Sequence, residues 1–267
     1  MTEVLGELKQ AKRVVIKVGT STLTHETGNI NLKTVEILVR VLADLRHSGK
    51  EVVLVSSGAV GVGAGKLGTI KKERTTTEKQ AYSAVGQCEL MGIYGRLFSE
   101  YGCSVAQILL TKNVLEDATR KENAINTFAQ LLEWGIIPIV NENDVISTEE
   151  IEFGDNDTLS AVVASLIGAQ ALIILSDIDG LYSADPRTDN SAKLVPVVEE
   201  ITDELLSTAG GAGSKRGTGG MVTKLLAARR ATAHGVNMVI TNGKNPRAIY
   251  DVLEGKQVGT LFCAKRG

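Results

Sequence analysis

Near the amino terminus the sequence reads Arg13-Val14-Val15-Ile16-Lys17-Val18-Gly19-Thr20-Ser21-Thr22, an apolar run that contains one lysine and ends in small polar residues. The β-branched residues predict a strand over Arg13–Val18 that is covered on both faces. A lysine in such a strand is costly to bury unless it meets an anion. The alternative is a lysine that extends its amine to solvent from the strand end. The stretch therefore predicts a buried strand that leads either to an anion site or to an exposed amine.

Short apolar runs recur along the chain and alternate with segments of helical periodicity. The further predicted strands are Glu51–Val55, Val105–Leu109, Ile136–Val140, Leu172–Leu175, Met238–Ile240 and Gln257–Leu261. The clearest helix spans Leu32 to Leu45, with Asn31 as its cap and Gly49 as its stop. The other predicted helices are Glu78–Glu100, Arg120–Trp134, Thr158–Ile167, Gly219–His234 and Pro246–Leu253. This alternation is typical of an α/β fold in which crossover helices join parallel strands.

Length and charge restrict the class of protein. The chain has 267 residues without a linker-like stretch, so one domain over 1–267 with an N-terminal and a C-terminal lobe is the simplest division. A net charge of -2 gives no general basic surface for nucleic acid and no polybasic tether for a membrane. Three cysteines without a C-x-x-C spacing, and a start without an apolar signal segment, favour a cytoplasmic location.

Glycine is concentrated in two places, because 11 of the 28 glycines lie in the windows Gly58–Gly68 and Gly210–Gly220. Both windows predict flexible loops whose N–H groups could surround a carboxylate or phosphate. A Walker A loop is excluded because Val60 occupies its first glycine position and Leu67 follows the lysine. A dinucleotide fingerprint is disfavoured because the first window has G-x-G-x-G spacing. No G-x-S-x-G or H-E-x-x-H motif occurs, which excludes the common serine hydrolases and zinc proteases.

The second glycine window runs directly into a predicted helix, with Lys224 about one turn inside it. The free N–H groups and the positive end of the helix dipole favour an anion there. A mobile loop before an ordinary helix is the alternative. Two distant lysines, Lys17 and Lys224, make phosphoryl transfer attractive because that chemistry depends on positioning and charge neutralisation.

Acidic residues cluster between Asn141 and Asp157, where seven occur in 17 residues without a basic residue. The middle part, Val145–Phe153, predicts a solvated hairpin. Asp144 and Asp155-Asn156-Asp157 flank predicted strand and helix ends, where carboxylate and amide groups could converge. Such groups near a nucleotide indicate a substrate ammonium, Mg²⁺ or the organisation of lysines.

From Arg13 to Phe262 the chain resembles the amino acid kinase family, and within it the kinases that act on free L-glutamate. The resemblance rests, in chain order, on the motifs VIKVGTS, VSSGAV, AVGQ at Ala84–Gln87, PIVNENDVIST, FGDNDTLSA, SDIDGLYSADPR, GTGGMVTKLLAA and VGTLF. It implies a three-layer αβα sandwich with a mainly parallel central sheet. It also implies ATP-dependent phosphorylation of the L-glutamate γ-carboxylate to L-glutamyl 5-phosphate, the first step of proline biosynthesis.

Carried over residue by residue, the resemblance implies catalytic roles for Lys17, Lys224 and Asp157, with the aspartate holding the two lysines. The implied glutamate-binding residues are Ser57, Gly58, Asn141, Asp144 and Asn156. The implied ATP-binding residues are Lys17, Gly19, Ser176, Asp177, Thr218, Gly219, Gly220, Met221, Val222, Thr223 and Lys224. Mg²⁺ is expected mainly on the ATP phosphates and not on protein ligands. Glutamate is expected in the lobe of about 1–170 and ATP in the lobe of about 171–267.

The resemblance further implies L-proline as a feedback inhibitor, a homo-oligomer (a dimer or a tetramer) and glutamyl phosphate reductase as a partner. The C-terminal PUA domain that many bacterial members carry is not expected here. Kinases of acetylglutamate, aspartate or a nucleoside monophosphate are the close alternatives. From a different class, the alternative is a non-catalytic sensor of glutamate or proline.

Overall fold

The computed structural model describes residues 2–69, 74–111, 114, 116–146, 156–210 and 220–265. The strands are β1 Arg13–Val18, β2 Glu51–Ser56, β3 Val105–Leu110, β4 Ile137–Glu142, β5 Ala171–Ser176, β6 Val197–Val198, β7 Asn237–Asn242 and β8 Thr260–Phe262. The helices are α1 Thr2–Gln10, α2 Thr20–Leu23, α3 Leu32–His47, α4 Ala59–Lys66, α5 Thr76–Ser99, α6 Ala118–Glu133, α7 Asp157–Leu166, α8 Asp203–Gly210, α9 Met221–Ala233 and α10 Ala248–Leu253.

The described strands form one sheet in the order β3-β4-β2-β1-β5-β7-β8-β6. The pairs around β1 are parallel and in register, so that Val18 lies opposite both Ser56 and Leu175. The antiparallel pair in this sheet is β7 with β8. The predicted strand at Gln257–Leu261 starts too early, because β8 begins at Thr260. The prediction of a mainly parallel sheet is confirmed.

Helices cover both faces of the sheet, which gives three layers. Val14, Ile16 and Val18 of β1 pack in one apolar core with α3 and α5, whereas Val15 packs in a second core with α7 and α9. Because successive side chains of a strand point to opposite faces, Lys17 lies on the same face as Val15. The three-layer αβα prediction is therefore confirmed, and the lysine of β1 faces α7 and α9.

Local signals fix the starts of helices α3 and α5. The Asn31 side chain accepts a hydrogen bond from the N–H of Thr34 and caps α3, as predicted. Helix α5 begins with a capping box in which Thr75 and Glu78 satisfy each other's backbone N–H groups. Within the described ranges, no helix has the length and apolar content that a membrane span requires.

The prediction of a flexible loop over Gly58–Gly68 is wrong, because Ala59–Lys66 forms helix α4. Glycine is needed here for close packing of two helices. A Cβ on Gly63 would lie 1.9 Å from the Tyr82 carbonyl oxygen, and a Cβ on Gly86 would lie 1.8 Å from the Ala59 carbonyl oxygen. Helices α4 and α5 therefore cross backbone to backbone.

Two other predicted segments lie mostly outside the described residues. In the hairpin predicted at Val145–Phe153, Val145 and Ile146 form part of a turn, and 147–153 lie outside. Of the second glycine window, 211–219 lie outside.

Candidate active site

The polar ends of four parallel strands meet at one edge of the sheet. Neighbouring strands β4, β2, β1 and β5 run in the same direction. Their last residues include Ser56, Asn141 and Ser176, each of which is less than 10% exposed. Ligands of open α/β sheets bind beyond the carboxyl ends of the strands. This edge is where the predicted site residues collect.

A carboxylate joins the two lysines that the sequence predicts to act together. Asp157, the first residue of α7, lies 2.6 Å from Lys17 Nζ through Oδ1 and 3.1 Å from Lys224 Nζ through Oδ2. Thr223 donates its hydroxyl to the same Oδ2 at 3.2 Å. One lysine comes from β1 and the other from α9, so the aspartate connects elements that are far apart in the chain.

The lysine–aspartate cluster, defined as Lys17, Asp157 and Lys224, is almost completely buried. The aspartate is 0% exposed and the lysines 4% and 6%. Buried charges are tolerated when they are paired and hydrogen-bonded. Two ammonium groups and one carboxylate carry one net positive charge, which suits an added anion.

Neutral amides form a second buried group beside the cluster, and we call Asn141, Asn156 and Gln87 the amide chain. Asn156 Nδ2 donates to Asn141 Oδ1 at 2.7 Å and to the Ser56 carbonyl oxygen at 3.3 Å. Asn141 Nδ2 donates to Gln87 Oε1 at 2.8 Å. Asn156 directly precedes Asp157, so the amide chain and the lysine–aspartate cluster share one turn of backbone.

Asp144 lies beyond the end of β4 and contacts helix α5. Its Oδ2 accepts a hydrogen bond from the Ser83 hydroxyl at 2.5 Å. Burial raises the pKa of Asp144 above its ordinary value, and the Ser83 hydrogen bond opposes that rise. The carboxylate is half-buried, and the hydrogen bond from this hydroxyl favours its ionised form.

The small residues after β1 and β2 leave the edge of the sheet open. Gly58 caps α4 with φ of 102°, a left-handed conformation that favours glycine. Ser57 is half-buried, and its N–H donates to the Val18 carbonyl oxygen. A Cβ on Gly19 would lie 3.8 Å from Lys17 Nζ, so glycine keeps the space beside that amine free.

The predicted ATP-binding residues fall on two elements of the C-terminal half. Ser176 ends β5 and donates to the exposed carboxylate of Asp177. Gly220 precedes α9 without a side-chain cap on the helix. Met221, Val222 and Thr223 form its first turn, half-buried. The predicted residues Thr218 and Gly219 lie outside the described residues.

Four buried polar side chains of the site have no predicted role: Ser56, Ser83, Gln87 and Tyr94. Ser56 Oγ lies 2.9 Å from Tyr94 Oη, and burial raises the pKa of this tyrosine to about 12. Ser83, Gln87 and Tyr94 are spaced by four and seven residues on α5. That spacing places polar groups on one helix face, a signal that the sequence does contain.

A family model described as the amino acid kinase family matches residues 12–242. Glutamate 5-kinase from Clostridium perfringens is 59% identical over 264 residues, which cover 97% of this chain and 98% of the relative. Glutamate 5-kinase from Listeria innocua is 54% identical over 263 residues, which cover 97% of this chain and 95% of the relative.

Solved structures of lower identity share the fold. UMP kinase from Bacillus anthracis superposes with a TM-score of 0.65 at 19% identity, over 96% of this chain and 97% of that one. Isopentenyl phosphate kinase from T. acidophilum superposes with a TM-score of 0.60 at 16% identity, over 94% of this chain and 99% of that one. On the family model and the close relatives, the chain belongs to the amino acid kinase family.

Proposed function

We propose that this chain transfers the γ-phosphoryl group of ATP to the γ-carboxylate of L-glutamate, giving L-glutamyl 5-phosphate and ADP in the first step of proline biosynthesis. The observation that carries the proposal is the buried lysine–aspartate cluster, with one lysine from each half of the chain. The choice of glutamate is supported by relatives of 59% and 54% identity that are named glutamate 5-kinase.

The reaction needs charge neutralisation more than it needs a base. A carboxylate is already ionised near neutral pH, so it can attack the γ-phosphorus in line without losing a proton. The attack brings two anions together. We assign Lys17 to the transferring phosphoryl group and Lys224 to the nucleotide phosphates. Asp157 acts on the lysines, because its two oxygens hold the two amines apart at fixed positions.

Recognition of glutamate is assigned to the groups at the ends of β2 and β4. Asp144 supplies the negative charge for the substrate ammonium. Ser57 offers its hydroxyl and Gly58 its backbone N–H, and Asn141 and Asn156 belong to the amide chain. Fixed dipoles of this kind select a substrate by its hydrogen-bonding pattern.

ATP is assigned to the end of β5 and to the N-terminus of α9. Free N–H groups at that helix start favour phosphate, and Lys224 lies one turn inside. The described residues contain no group of three His, Cys, Asp or Glu side chains that could hold a metal ion. We assign Mg²⁺ mainly to the ATP phosphate oxygens, where it would neutralise charge. Glutamate would thus bind mainly in the lobe of about 1–170, and ATP mainly in the lobe of about 171–267.

Regulation and assembly extend the proposal. We propose a cytoplasmic homo-oligomer that L-proline inhibits and that passes its unstable acyl phosphate to glutamyl phosphate reductase. If millimolar proline leaves a glutamate titration of the activity unchanged, the proposed inhibition by L-proline is contradicted. If glutamyl phosphate reductase does not co-purify with this protein, the proposed passage of the acyl phosphate between them is contradicted.

A coupled ADP-release assay with Mg-ATP tests the proposed activity. The acceptors are L-glutamate, N-acetyl-L-glutamate, L-aspartate and UMP, each at the same concentration. The proposal expects turnover with L-glutamate well above the other three. Turnover with another acceptor would indicate the activity of another member of the family. Glutamate binding without ADP release would indicate a non-catalytic sensor.

A further inference from the structure

Helix α5 carries two buried polar side chains that contact residues of the site. Ser83 and Gln87 are 4% and 9% exposed, and they lie four residues apart. Residues at that spacing share one face of a helix. We call this pair the α5 polar face.

Each member of the α5 polar face holds one side chain from the end of β4. Ser83 donates its hydroxyl to Asp144, and Gln87 accepts the amide N–H of Asn141. The two held residues are three positions apart, so one helix face matches one stretch of chain after a strand. The α5 polar face therefore fixes a carboxylate and an amide relative to each other.

The Gln87 contact also determines which way the neighbouring amides point. With its N–H donated to Gln87, Asn141 turns its oxygen to Asn156 and accepts from Nδ2. Asn156 donates its second N–H to the Ser56 carbonyl oxygen. Both amide hydrogens of Asn156 are thus used inside the protein, and its oxygen is left to accept a hydrogen bond.

The position of the α5 polar face is fixed by backbone packing. Gly86 lies between the two residues and packs against the Ala59 carbonyl oxygen and the Gly63 nitrogen of α4. Because the crossing has no side chain between the helices, α5 cannot shift there without a backbone clash.

We propose that Ser83 and Gln87 are positioning residues for substrate recognition, which hold Asp144 as a carboxylate and Asn156 as an acceptor toward an α-ammonium group. This inference rests on the proposed function, because the ammonium belongs to the glutamate assigned to this site. Neither residue needs to touch the substrate, since each acts through the side chain that it holds.

The pH dependence of glutamate affinity reports on the contact between Ser83 and Asp144. Burial raises the pKa of Asp144 and the Ser83 hydroxyl lowers it, so loss of the hydroxyl raises that pKa further. An ammonium is bound by the ionised carboxylate, so affinity falls as the pH falls through this pKa. The charged residues that precede Asp144 and Ser83 in the chain are Glu142 and Lys79, which the test variants leave unchanged.

The test is steady-state kinetics of the full chain from about pH 5.5 to about pH 8.5, varying glutamate at saturating Mg-ATP. Ser83→Ala removes the hydroxyl, and Ser83→Cys keeps the shape with a weaker donor. We expect the KM for glutamate to rise about tenfold in Ser83→Ala at neutral pH, with kcat within about twofold. The rise in KM at low pH should begin at a higher pH than in the wild type.

Three further variants separate positioning from general damage. Ser99→Ala makes the same change at an exposed site on α5 and should leave both constants unchanged. Gln87→Met should raise the KM without moving the pH profile. Adding Ser83→Ala to Asp144→Asn should change the KM by less than about twofold, because the carboxylate charge on which Ser83 acts is already absent.

A wild-type KM and pH profile in both Ser83 variants would overturn the inference, as would equal effects with and without Asp144. If Ser83→Ala does not fold, Ser83→Cys and Gln87→Met decide by the same criteria. Wild-type protein without glutamate-dependent ADP release would instead remove the proposed function.

Discussion

The two ends of the site are built from different kinds of groups. At the proposed phosphate end, Lys17, Asp157 and Lys224 are full charges in direct contact. At the proposed substrate end, Asn141, Asn156 and Gln87 are neutral amides in a hydrogen-bonded chain. In the proposed function, the phosphate end supplies charge, whereas the substrate end supplies orientation.

This difference predicts different kinetic consequences for the two ends. Charge that acts on a transferring phosphoryl group stabilises the transition state, so its loss lowers kcat. Groups that orient the substrate act in the bound ground state as well as in the transition state. Their loss therefore raises KM. A variant at either end with the opposite kinetic effect would show that the two ends do not divide the work in this way.

The largest effect is expected at the phosphate end. Lys17→Met keeps the apolar stem and removes the ammonium that contacts Asp157. We expect kcat to fall about 10²- to 10³-fold while the KM for glutamate changes little. Lys66→Met is the matched control, because Lys66 is an exposed lysine on α4. Normal turnover by Lys17→Met, measured by ADP release, would contradict the assignment.

A smaller effect is expected at the substrate end. Asp144→Asn preserves the shape and removes the charge assigned to the substrate ammonium. We expect the KM for glutamate to rise about 10- to 100-fold, with kcat within a few-fold of wild type. Initial rates against glutamate at saturating ATP measure both constants. A loss confined to kcat would move Asp144 to the phosphate end.

The helix crossing that supports the substrate end can be tested by stability. Gly86→Ala places a Cβ 1.8 Å from a backbone oxygen, so we expect the free energy of unfolding to fall by about 1–3 kcal/mol. Gly92→Ala is the control on the same helix, since a Cβ there meets nothing within 4 Å. That control should raise stability by about 0.5–1 kcal/mol. Equal urea midpoints for the two variants would refute the close crossing.

The smallest effect is expected at the exposed side of the same helix pair. Lys66 of α4 and Glu89 of α5 form an ion pair at 3.0 Å, with side chains 57% and 36% exposed. Exposed pairs contribute about 0.2–1 kcal/mol. Lys66→Met should therefore change the free energy of unfolding by no more than about 1 kcal/mol. A larger loss in urea unfolding would make the ion pair, and not the glycines, the main link between α4 and α5.

The sequence predicted the layers and the charged residues because both carry strong local signals. Apolar β-branched runs give β1, β2 and β5 within one or two residues at each end. Lys17 is conspicuous in an apolar strand, and Asp157 is conspicuous at a helix start. Their direct contact, across 140 residues of chain, depends on the parallel order of the strands.

The helix crossing could not be predicted from local composition. Five glycines in Gly58–Gly68 indicate a loop by propensity, yet tertiary packing makes most of that window a helix. The reason lies in Gly86, which is distant in sequence and needs Gly63 opposite it. Similarly, the four-residue spacing of Ser83 and Gln87 does not by itself predict their contacts with Asp144 and Asn141. Those contacts arise because the end of β4 lies beside α5 in the fold.

The proposed reaction transfers a phosphoryl group to a carboxylate of glutamate at the lysine–aspartate cluster. Hydroxylamine traps an acyl phosphate as a hydroxamate, so it reports the product directly. With Mg-ATP and L-glutamate, the wild type should form glutamyl hydroxamate in step with ADP, and Lys17→Met should form almost none. ADP release without hydroxamate, or equal hydroxamate from both proteins, would contradict the proposed reaction.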